Sequence, residues 1–399
     1  MAPIDIAVAG CGPCGLAAAL FLARDGHRVT IFERFDEARP IGSGLMIQPT
    51  GFAVLRKLGL EVDLLARGAR IERLVGQTGA GRVVLDVRYR ALGRRAGFGI
   101  GVHRATLFAL LHDAARAAGL AIETGRTIVA ADPIAGGRRR LAFADGTGAG
   151  PFDLVVDALG TRSPLTPEPG RSLDYGALWA SLDWPECGSF TADALEQRYR
   201  AASVMAGVLP IGTPSNTTRR QTAFFWSLRC DRWETWQASG LDAWKADVLS
   251  LWPETRPLLD QIATPERLTF ARYAHRTLSK PAAAGLIHIG DAWHSASPQL
   301  GQGANMALLD AWALGQALRE AADVAEALER TVGSRRGHIR LYQAMSAVFT
   351  PVYQSDSRAL PLLRDVVVGP SSRTWPATWL QAAMVSGLLN DPLTRLGLA

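Results

Sequence analysis

The chain has 399 residues, of which 48% are hydrophobic and 20% are charged, with a net charge of +6 and a pI near 9.4. This length supports two packed domains with a well-buried core. The basic residues are scattered arginines without interleaved aromatics, which disfavours nucleic-acid binding, and no apolar run approaches the roughly 18 uncharged residues of a membrane helix.

The N-terminal segment has the order strand, glycine loop, helix, strand, acid. An apolar strand at residues 4–9 enters the loop Gly10-Cys11-Gly12-Pro13-Cys14-Gly15, a helical pattern covers 16–24, and a strand at 27–32 ends at Glu33. The first glycine makes the turn, the second admits a pyrophosphate and the third lets the helix pack on the strand. This order predicts a dinucleotide site in which Glu33 accepts hydrogen bonds from the adenosine ribose.

Two cysteines in this loop could suggest a metal or redox motif. Cys11 and Cys14 lie where a phosphate loop requires small side chains, however, and Cys187 and Cys230 form no metal-like pair. We therefore predict no metal site. Four cysteines and a strand that begins at Ile4 predict a cytoplasmic protein without a signal peptide.

The middle of the chain alternates between helix and strand. The predicted helices cover residues 50–58 and 106–118, and the predicted strands cover 71–76, 83–87, 121–124 and 154–158. Seven of the 11 tryptophans lie between 176 and 268, amid strand-like runs. We predict a discontinuous cofactor domain (1–70, 100–175 and 269–350), a substrate-binding sheet domain (71–99 and 176–268) and a C-terminal helical segment (351–399).

Residues 290–305 carry the second cofactor signal. The apolar run 285–289 ends at Gly290-Asp291, and Pro298 and Gly301-Gln302-Gly303 precede a helical pattern from about Ala304. Asp291 can accept from cofactor hydroxyls, and the bare amides at the helix start can face an anion or an electron-rich ring.

Together these motifs resemble the FAD-dependent aromatic hydroxylases, the para-hydroxybenzoate hydroxylase-like family of group A flavoprotein monooxygenases. The resemblance covers about residues 1–350. It implies an α/β fold, with a Rossmann-like FAD-binding domain, an inserted β-sheet substrate domain and a helical C-terminus. It further implies that NADPH or NADH reduces FAD, that O2 adds at flavin C4a, and that the hydroperoxide hydroxylates an aromatic or heteroaromatic small molecule. A homodimer is a further expectation.

The resemblance also assigns site residues. Arg104 matches the arginine that reaches the cofactor from a helix start, and residues 42–49 match the mobile segment beside the flavin ring. The expected cofactor-binding residues are Gly10, Gly12, Pro13, Cys14, Gly15, Glu33, Arg34, Gly44, Leu45, Arg104, Asp291, Gly301, Gln302, Gly303, Ala304 and Asn305. The expected flavin-ring environment is Pro298, Gly301 and Gly303, with His103 as a candidate catalytic base.

The substrate residues are less sharply indicated. The candidates are Gln48, Phe225, Trp226, Tyr273 and Pro298, although core packing explains the aromatic residues equally well. His103 and His275 could approach the ring, but each also fits a strand-end histidine, and His294 fits a structural role.

One departure from the family concerns the mid-chain Asp-Gly pair, which is thought to serve both FAD and the nicotinamide donor. Leu159 stands where the acid belongs, while Gly160, Arg162 and Ser163 match. Asp157 lies two residues earlier, on the same face of a strand, and could substitute for the missing acid.

Three alternatives stay open on the sequence. A membrane-peripheral quinone-pathway hydroxylase would use the apolar stretch 375–385 as a surface helix. A flavin halogenase would need a Trp-x-Trp-x-Ile-Pro motif and a placed lysine, whereas residues 179–185 read Trp-Ala-Ser-Leu-Asp-Trp-Pro. A non-catalytic flavin-binding protein would need no closed aromatic pocket.

Overall fold

The computed structural model describes residues 1–37, 43–95, 97–167, 169–186, 188, 190–215, 217–371 and 374–399. Gly42, at the start of the predicted flavin loop, and Cys187 lie outside the described residues. The helices are α1 Pro13–Arg24, α2 Pro49–Lys57, α3 Glu61–Arg67, α4 Arg104–Ala117, α5 Trp233–Leu251, α6 Arg256–Leu259, α7 Gly303–Glu320, α8 Val324–Tyr353, α9 Ala359–Leu363, α10 Gly369–Ser371, α11 Ala377–Val385 and α12 Pro392–Arg395.

Twenty-two strands form five sheets in the described residues. They are β1 Asp5–Ala9, β2 Arg28–Phe32, β3 Gly44–Ile47, β4 Ala69–Ile71, β5 Arg73–Thr78, β6 Val83–Arg88, β7 Gly99–His103, β8 Ala121–Glu123, β9 Ile128–Pro133, β10 Arg139–Phe143, β11 Gly148–Phe152, β12 Leu154–Asp157, β13 Arg171–Ser172, β14 Tyr175–Asp183, β15 Ala194–Arg200, β16 Val204–Gly212, β17 Gln221–Arg229, β18 Thr269–Ala271, β19 Ala274–Thr277, β20 Ala282–Ala283, β21 Leu286–His288 and β22 His294–Ser295. The predicted α/β class is confirmed.

The first sheet carries both cofactor motifs at one edge. Its order is β20-β21-β12-β1-β2-β8, and every pairing except that of β20 is parallel. Parallel strands end on the same side of a sheet, so the loops after β1, β12 and β21 lie together. Helix α1 packs on α7, where the rings of Phe21 and Trp312 meet edge to face at 5.1 Å. Residues 10–15 and 290–305 are thereby held next to each other.

The substrate sheet, our name for the seven-stranded sheet β18-β14-β17-β16-β15-β5-β6, separates two apolar clusters. One face, which we call inward, contributes Leu195, Leu209 and Phe225 to a cluster that also contains Met46 of β3. The opposite face packs against α5 and buries most of the tryptophan-rich region. Because side chains alternate along a strand, successive residues point into the two different clusters.

Residues 44–47 correct one expectation. We predicted a mobile loop there, but Gly44 to Ile47 form strand β3, paired antiparallel with β7. Gly44 lies so close to the substrate sheet that an added Cβ would come within 2.6 Å of the Ala223 Cβ. Since this contact leaves no room for a side chain, the glycine serves packing.

The C-terminal segment contributes to two apolar clusters. Met384, Leu396 and Leu398 join the apolar core around the first sheet, while Ala382 and Val385 join the inward cluster of the substrate sheet. The end of α11 is thus committed to the protein interior. None of the described helices has the length and apolar content needed to cross a membrane.

Candidate active site

The glycine loop after β1 is shaped by close backbone contacts. Gly10 has φ +105°, and a Cβ there would lie 2.7 Å from the Ala158 carbonyl oxygen, while a Cβ on Gly15 would lie 2.0 Å from the Gly10 oxygen. Around Gly12, by contrast, no described atom lies within 4 Å of the Cβ position. The first and third glycines therefore serve the protein's own packing, and the second keeps an open face where a pyrophosphate would approach.

Glu33 is held at the edge of this loop. Its Oε2 accepts from the Cys11 amide at 3.0 Å and its Oε1 accepts from the Phe35 amide at 3.1 Å. Each carboxylate oxygen retains a further lone pair for a ribose hydroxyl. Arg34, the next residue, is exposed, and its guanidinium lies 4.6 Å from the centre of the Phe35 ring.

The loop cysteines are packed as small apolar groups. Cys14 Sγ lies 3.4 Å from the Ala307 carbonyl oxygen in α7, and a Cβ added to Gly290 would lie 3.0 Å from the same sulfur. Burial raises the pKa of Cys11 to about 12 and holds that of Cys14 well above its ordinary value. Both side chains are therefore thiols at neutral pH, the unreactive form.

The segment 290–305 alternates between buried and open residues. Asp291, Pro298 and Gly303 are exposed, whereas their neighbours are mostly buried. Gly301 has φ +61° and ends a short 3-10 turn, which lets α7 begin at Gly303, next to Ala304. Neither α7 nor α1 has a side-chain cap at its N-terminus, so amides there stay available to a ligand.

Asp291 is exposed, and its carboxylate interacts electrostatically with Arg104, the exposed first residue of α4. Although Asp291 is exposed to solvent, the protein atoms packed around its carboxylate reduce its solvation and raise its pKa, while His294 and Arg104 act to lower it. The same arginine lowers the pKa of Tyr273, although burial of that phenol dominates and raises its pKa to about 12. Arg104 is therefore within electrostatic range of both Asp291 and Tyr273.

A buried charge network fixes the turn that bears Asp291. Asp310 Oδ2 accepts from the Gly290 amide at 3.0 Å and lies 2.6 Å from His294 Nε2. Its Oδ1 accepts from Arg335 Nε at 2.7 Å. Burial alone would raise the pKa of Asp310, but the charges of His294 and Arg335 lower it to about 2. The carboxylate is therefore ionised and holds the Gly290 amide.

Sequence reasoning missed Asp310 and Arg335. The available signal was an acid inside the otherwise apolar run 306–315 of a helix, which requires a buried partner. His294 was correctly interpreted as structural, because the residue is 3% exposed and its ring is bonded to Asp310.

Several expected cofactor or catalytic residues bind other parts of the protein. Asn305 Oδ1 accepts from the Gln48 amide, and its Nδ2 donates to the Met46 and Gly301 carbonyls, so this side chain clamps β3 to α7. Gln302 donates to the Val385 carbonyl in the C-terminal segment. His103 Nδ1 accepts from the Ala105 amide and caps α4, which makes it a poor candidate for a catalytic base.

The substrate candidates divide between the two faces of the substrate sheet. Phe225 lies inward, with its ring centre 4.8 Å from that of Trp179, and Trp179 Nε1 donates to Tyr273 Oη at 2.9 Å. Trp226 lies on the opposite face, packed in the α5 cluster. Trp226 therefore lies away from Phe225, because adjacent strand residues point to opposite sides of a sheet.

Gln48 sits at the boundary between the domains. Tyr89 donates from its hydroxyl to Gln48 Oε1 at 2.5 Å, while Gln48 Nε2 has no described acceptor. A Cβ added to Gly301 would lie 3.8 Å from that nitrogen. The unpaired Nε2 donor of Gln48 thus lies beside the flavin segment, and Gln48 is one of the predicted substrate contacts.

Asp157 does not take the place of the missing acid at 159. Its Oδ1 accepts from the Leu159 amide at 3.0 Å, and its Oδ2 accepts from Ser163 Oγ at 2.6 Å and lies 2.6 Å from His288 Nδ1. Both oxygens are fully buried and engaged. Because neither carboxylate oxygen of Asp157 is free, the structure does not support the hypothesis that Asp157 substitutes for the family acid.

These features fit an FAD cofactor. The open face at Gly12, the acids Glu33 and Asp291 and the two uncapped helix starts lie along one edge of the first sheet. No group of three or more His, Cys, Asp or Glu side chains in the described part of the chain could hold a metal ion.

Comparison with known proteins gives the same picture. Residues 3–138 and 197–336 match the model of the FAD binding domain family. The chain is 26% identical over 342 residues to 6-hydroxynicotinate 3-monooxygenase of Pseudomonas fluorescens, covering 79% of this chain and 82% of the relative. It is 28% identical over 353 residues to 2-heptyl-3-hydroxy-4(1H)-quinolone synthase of Mycobacteroides abscessus, covering 85% and 88%. The structure of Klebsiella pneumoniae HpxO with FAD and uric acid superposes with a TM-score of 0.80 at 20% identity, covering 98% of each chain.

Proposed function

Because the chain belongs to the FAD binding domain family of para-hydroxybenzoate hydroxylase-like aromatic hydroxylases and is an FAD-dependent monooxygenase, we propose that its substrate is an aromatic or heteroaromatic small molecule held between Pro298 and the inward face of the substrate sheet. The observation that carries this proposal is the aromatic wall of Trp179, Phe225 and Tyr273. Phe225 shares its cluster with Met46, whose Cε lies 3.9 Å from the Cβ position of Gly301 in the flavin segment. Relatives named for 6-hydroxynicotinate and for a 4(1H)-quinolone, both heteroaromatic, support it.

Each part of the site has a distinct task in this account. Gly12, Glu33 and Asp291 hold the cofactor, and the α7 N-terminus places partial positive charge beside its ring. FAD, when bound, supplies the two-electron chemistry that couples NADPH or NADH oxidation to activation of O2. The residues of the inward wall exclude water and orient the substrate ring. We do not assign His103 as a base, since its Nδ1 accepts from the Ala105 amide and caps α4.

The test of function is product analysis under 18O2. Holoenzyme is supplied with NADPH or NADH and a panel of hydroxylated benzenes, pyridines and quinolones. We expect one 18O atom per product molecule and one nicotinamide oxidised per product. Full conversion of consumed O2 to hydrogen peroxide with every ligand would contradict the hydroxylase and favour an oxidase.

Neighbouring phenylalanines on opposite faces of β17 provide a matched control for the pocket. Phe225 lies inward at 6% exposure and Phe224 lies in the α5 cluster at 0%. Phe225→Leu should weaken ligand binding or raise peroxide release, while Phe224→Leu makes the same chemical change outside the pocket. Equal effects of the two substitutions on ligand binding would remove Phe225 from the pocket.

The nicotinamide step raises a separate question at Leu159. Leu159→Asp would restore the acid that the family places there. An increased rate of flavin reduction would indicate that the native leucine limits the reaction with the donor. An unchanged rate would show that position 159 does not control it.

We further propose that the protein works in the cytoplasm, where reduced nicotinamide is available, and that it forms a homodimer. Exposed apolar side chains on the C-terminal segment, including Trp375, Trp379 and Leu380, support the homodimer. Light scattering coupled to size-exclusion chromatography would give the mass. A monomer at micromolar concentration would contradict the homodimer.

A further inference from the structure

Two buried glutamines bond to tyrosines of the inward cluster, and one of them keeps an unpaired donor. Gln197 accepts from the Tyr199 hydroxyl at 2.9 Å and donates to Met205 Sδ at 3.4 Å, so both ends of its amide have protein partners. Gln48 accepts from the Tyr89 hydroxyl through Oε1, but its Nε2 has no acceptor among the described residues. Gln48 is fully buried. A buried donor without an acceptor destabilises a fold, so a ligand atom is expected to accept from this Nε2.

The Tyr89 hydroxyl determines which end of the Gln48 amide is left free. Burial holds the pKa of Tyr89 well above its ordinary value, so the phenol keeps its proton. The Gln48 carbonyl oxygen accepts that proton, and the other described acceptor for it is Met46 Sδ at 3.9 Å, a weak one. If the amide turned over, the hydroxyl would have only the sulfur as acceptor. The free end of the amide is therefore its NH2 group, a donor.

This donor lies beside both the flavin segment and the inward cluster. Gln48 follows β3 in an extended conformation, two residues after Met46, so the two side chains lie on the same face. Met46 shares the inward cluster with Phe225. A Cβ built on Gly301 would lie 3.8 Å from Gln48 Nε2 and 3.9 Å from Met46 Cε, with no nearer described atom apart from its chain neighbours. The space next to Gly301 is thus open, and the Gln48 donor borders it.

The polar group of the aromatic wall also presents a donor. Tyr273 Oη accepts from Trp179 Nε1 at 2.9 Å, and its own hydroxyl proton has no described acceptor. Burial raises the pKa of Tyr273 to about 12, so this phenol keeps its proton at neutral pH. Because Gln48 and Tyr273 both offer donors, a ligand that bonds to them must supply the acceptors.

We propose that Gln48 is a specificity-determining residue that donates a hydrogen bond to an exocyclic oxygen of the substrate, and that Tyr89 is the positioning residue that sets the direction of this bond. The preferred substrates are then aromatic rings with an oxo group, such as pyridones and quinolones, over rings with an amino group at the same place. This inference rests on the proposed function. An amino group at that place would leave two buried donors facing each other without an acceptor.

Ligand pairs of the same shape and opposite hydrogen-bond character test the proposal. The probes are 2-pyridone against 2-aminopyridine and 2-quinolone against 2-aminoquinoline. They are titrated into the holoenzyme at a pH where all four are uncharged, and binding is followed by the flavin absorbance. The wild type should bind the oxo member of a pair more tightly, on the order of 10-fold. Equal binding of the two members, or tighter binding of the amino members, would overturn the proposal.

Substitutions at Gln48 should reverse or abolish this preference. Gln48→Glu keeps an oxygen for the Tyr89 hydroxyl and turns the free end into an acceptor, so the amino members should become the tighter ligands. Gln48→Met removes the donor at nearly constant volume and should bind the two members equally. An oxo preference that survives both substitutions would contradict the role of Gln48.

Tyr89→Phe tests the positioning role separately. Without the hydroxyl, either end of the Gln48 amide can face the ligand, so the preference for oxo ligands should shrink while both members of a pair still bind. A purely structural role of Tyr89 would weaken both members alike and keep their ratio, and that result would overturn the positioning role.

Gln197 gives the matched control, because its amide also bonds to a tyrosine of the inward cluster but has protein partners at both ends. Gln197→Glu and Gln197→Met should leave the ratio between oxo and amino ligands unchanged. Fluorescence titration of the apoprotein with FAD distinguishes the flavin as the source of the acceptor. Weaker FAD binding by Gln48→Met, with the oxo preference intact, would assign the donor to the flavin and overturn the proposal.

Each preference is a ratio measured on one variant, so a general loss of stability cancels from it. Thermal unfolding without ligand should show Gln48→Glu closer to the wild type than Gln48→Met, which leaves the Tyr89 hydroxyl without its carbonyl acceptor. A Gln48→Glu protein that melts like the wild type and still prefers the oxo ligands would overturn the proposal. Failure of the proposed function would appear elsewhere, as a flavin that neither nicotinamide reduces, while the ligand titrations would still report on Gln48.

Discussion

At the residue scale, buried titratable groups fix the turn that bears Asp291. His338 Nδ1 accepts from Arg335 Nη1 at 3.1 Å, and its Nε2 donates to the Gly387 carbonyl at 3.1 Å. This arrangement fits only the neutral imidazole. The histidine thereby links the Asp310 network to the C-terminal segment. Sequence could not predict this contact, since residues 310, 338 and 387 meet only in the folded chain.

The neutral state of His338 predicts a specific loss of stability in acid. Burial, reinforced by the charge of Arg335, lowers the pKa of His338 from 6.5 to about 3. The unfolded chain therefore takes up a proton below pH 6.5 that the folded chain rejects, and stability falls between pH 6.5 and 3. The loss at the lower limit should be on the order of 4 kcal/mol.

Glutamine at position 338 can keep both hydrogen bonds without titrating. We expect urea unfolding of His338→Gln to show a shallower pH dependence between 6.5 and 3 than the wild type. An unchanged slope would mean that other groups account for the acid sensitivity.

Asp291 is the residue whose cofactor role is most directly testable. Asp291→Ala should raise the Kd for FAD on the order of 10- to 100-fold, because a charge-assisted hydrogen bond is lost. Asp242→Ala, an exposed acid on α5, is the control and should bind FAD normally. Fluorescence titration of apoprotein with FAD gives both values. Full FAD retention by Asp291→Ala would remove this residue from the cofactor site.

At the scale of elements, contiguous motifs were predictable and distant pairings were not. The glycine loop, α1 and Glu33 form a short local unit, so spacing sufficed to predict them. Residues 44–47 form a strand only because they pair with residues 99–103, more than 50 positions away. Local sequence there, with two glycines at 42 and 44, favoured a loop.

Gly12 offers a substitution that separates folding from cofactor binding. No described atom lies within 4 Å of its Cβ position, and its φ of −77° suits alanine. Gly12→Ala should therefore leave the melting temperature of the apoprotein nearly unchanged while raising the Kd for FAD about 10-fold or more, since the methyl group occupies the pyrophosphate approach.

The control for this prediction is Gly333→Ala in the middle of α8. A Cβ there also meets no described atom within 4 Å. The change should preserve FAD binding and stabilise the helix by about 0.5–1 kcal/mol. If Gly12→Ala and Gly333→Ala bind FAD equally well, the glycine loop does not contact the cofactor as argued.

At the scale of the whole molecule, the substrate sheet separates two apolar clusters, and the C-terminal segment packs against the inward one. The predicted substrate domain covers residues 71–99 and 176–268. Strands β5, β6 and β15 to β17 fall within those ranges, whereas β14 begins one residue earlier, at Tyr175, and β18 lies just outside, at 269–271. Sequence could not tell which aromatic residues face inward, because the tryptophan-rich region supplies both faces. Only the folded sheet shows that Phe225 belongs to the inward cluster and Trp226 to the cluster on the α5 side.

Closure by the C-terminal segment depends on a few polar contacts. Tyr342 donates from its hydroxyl to the Met384 carbonyl at 2.9 Å, within a buried environment. Tyr342→Phe should destabilise the protein by about 1–2 kcal/mol, since the carbonyl loses its donor. Hydrogen–deuterium exchange should rise mainly in residues 382–398. Equal increases in the central sheet would show that the segment does not open separately.

The central claim is that residues 10–15 and 290–305 bind an FAD that nicotinamide reduces for hydroxylation of an aromatic ligand. The most direct test is the anaerobic visible spectrum of the holoenzyme before and after NADPH or NADH, with and without aromatic ligands. We predict bound oxidised flavin that is bleached by one nicotinamide, faster when a suitable aromatic ligand is present. A protein that retains no flavin, or a flavin that neither nicotinamide reduces with any ligand, would contradict the account.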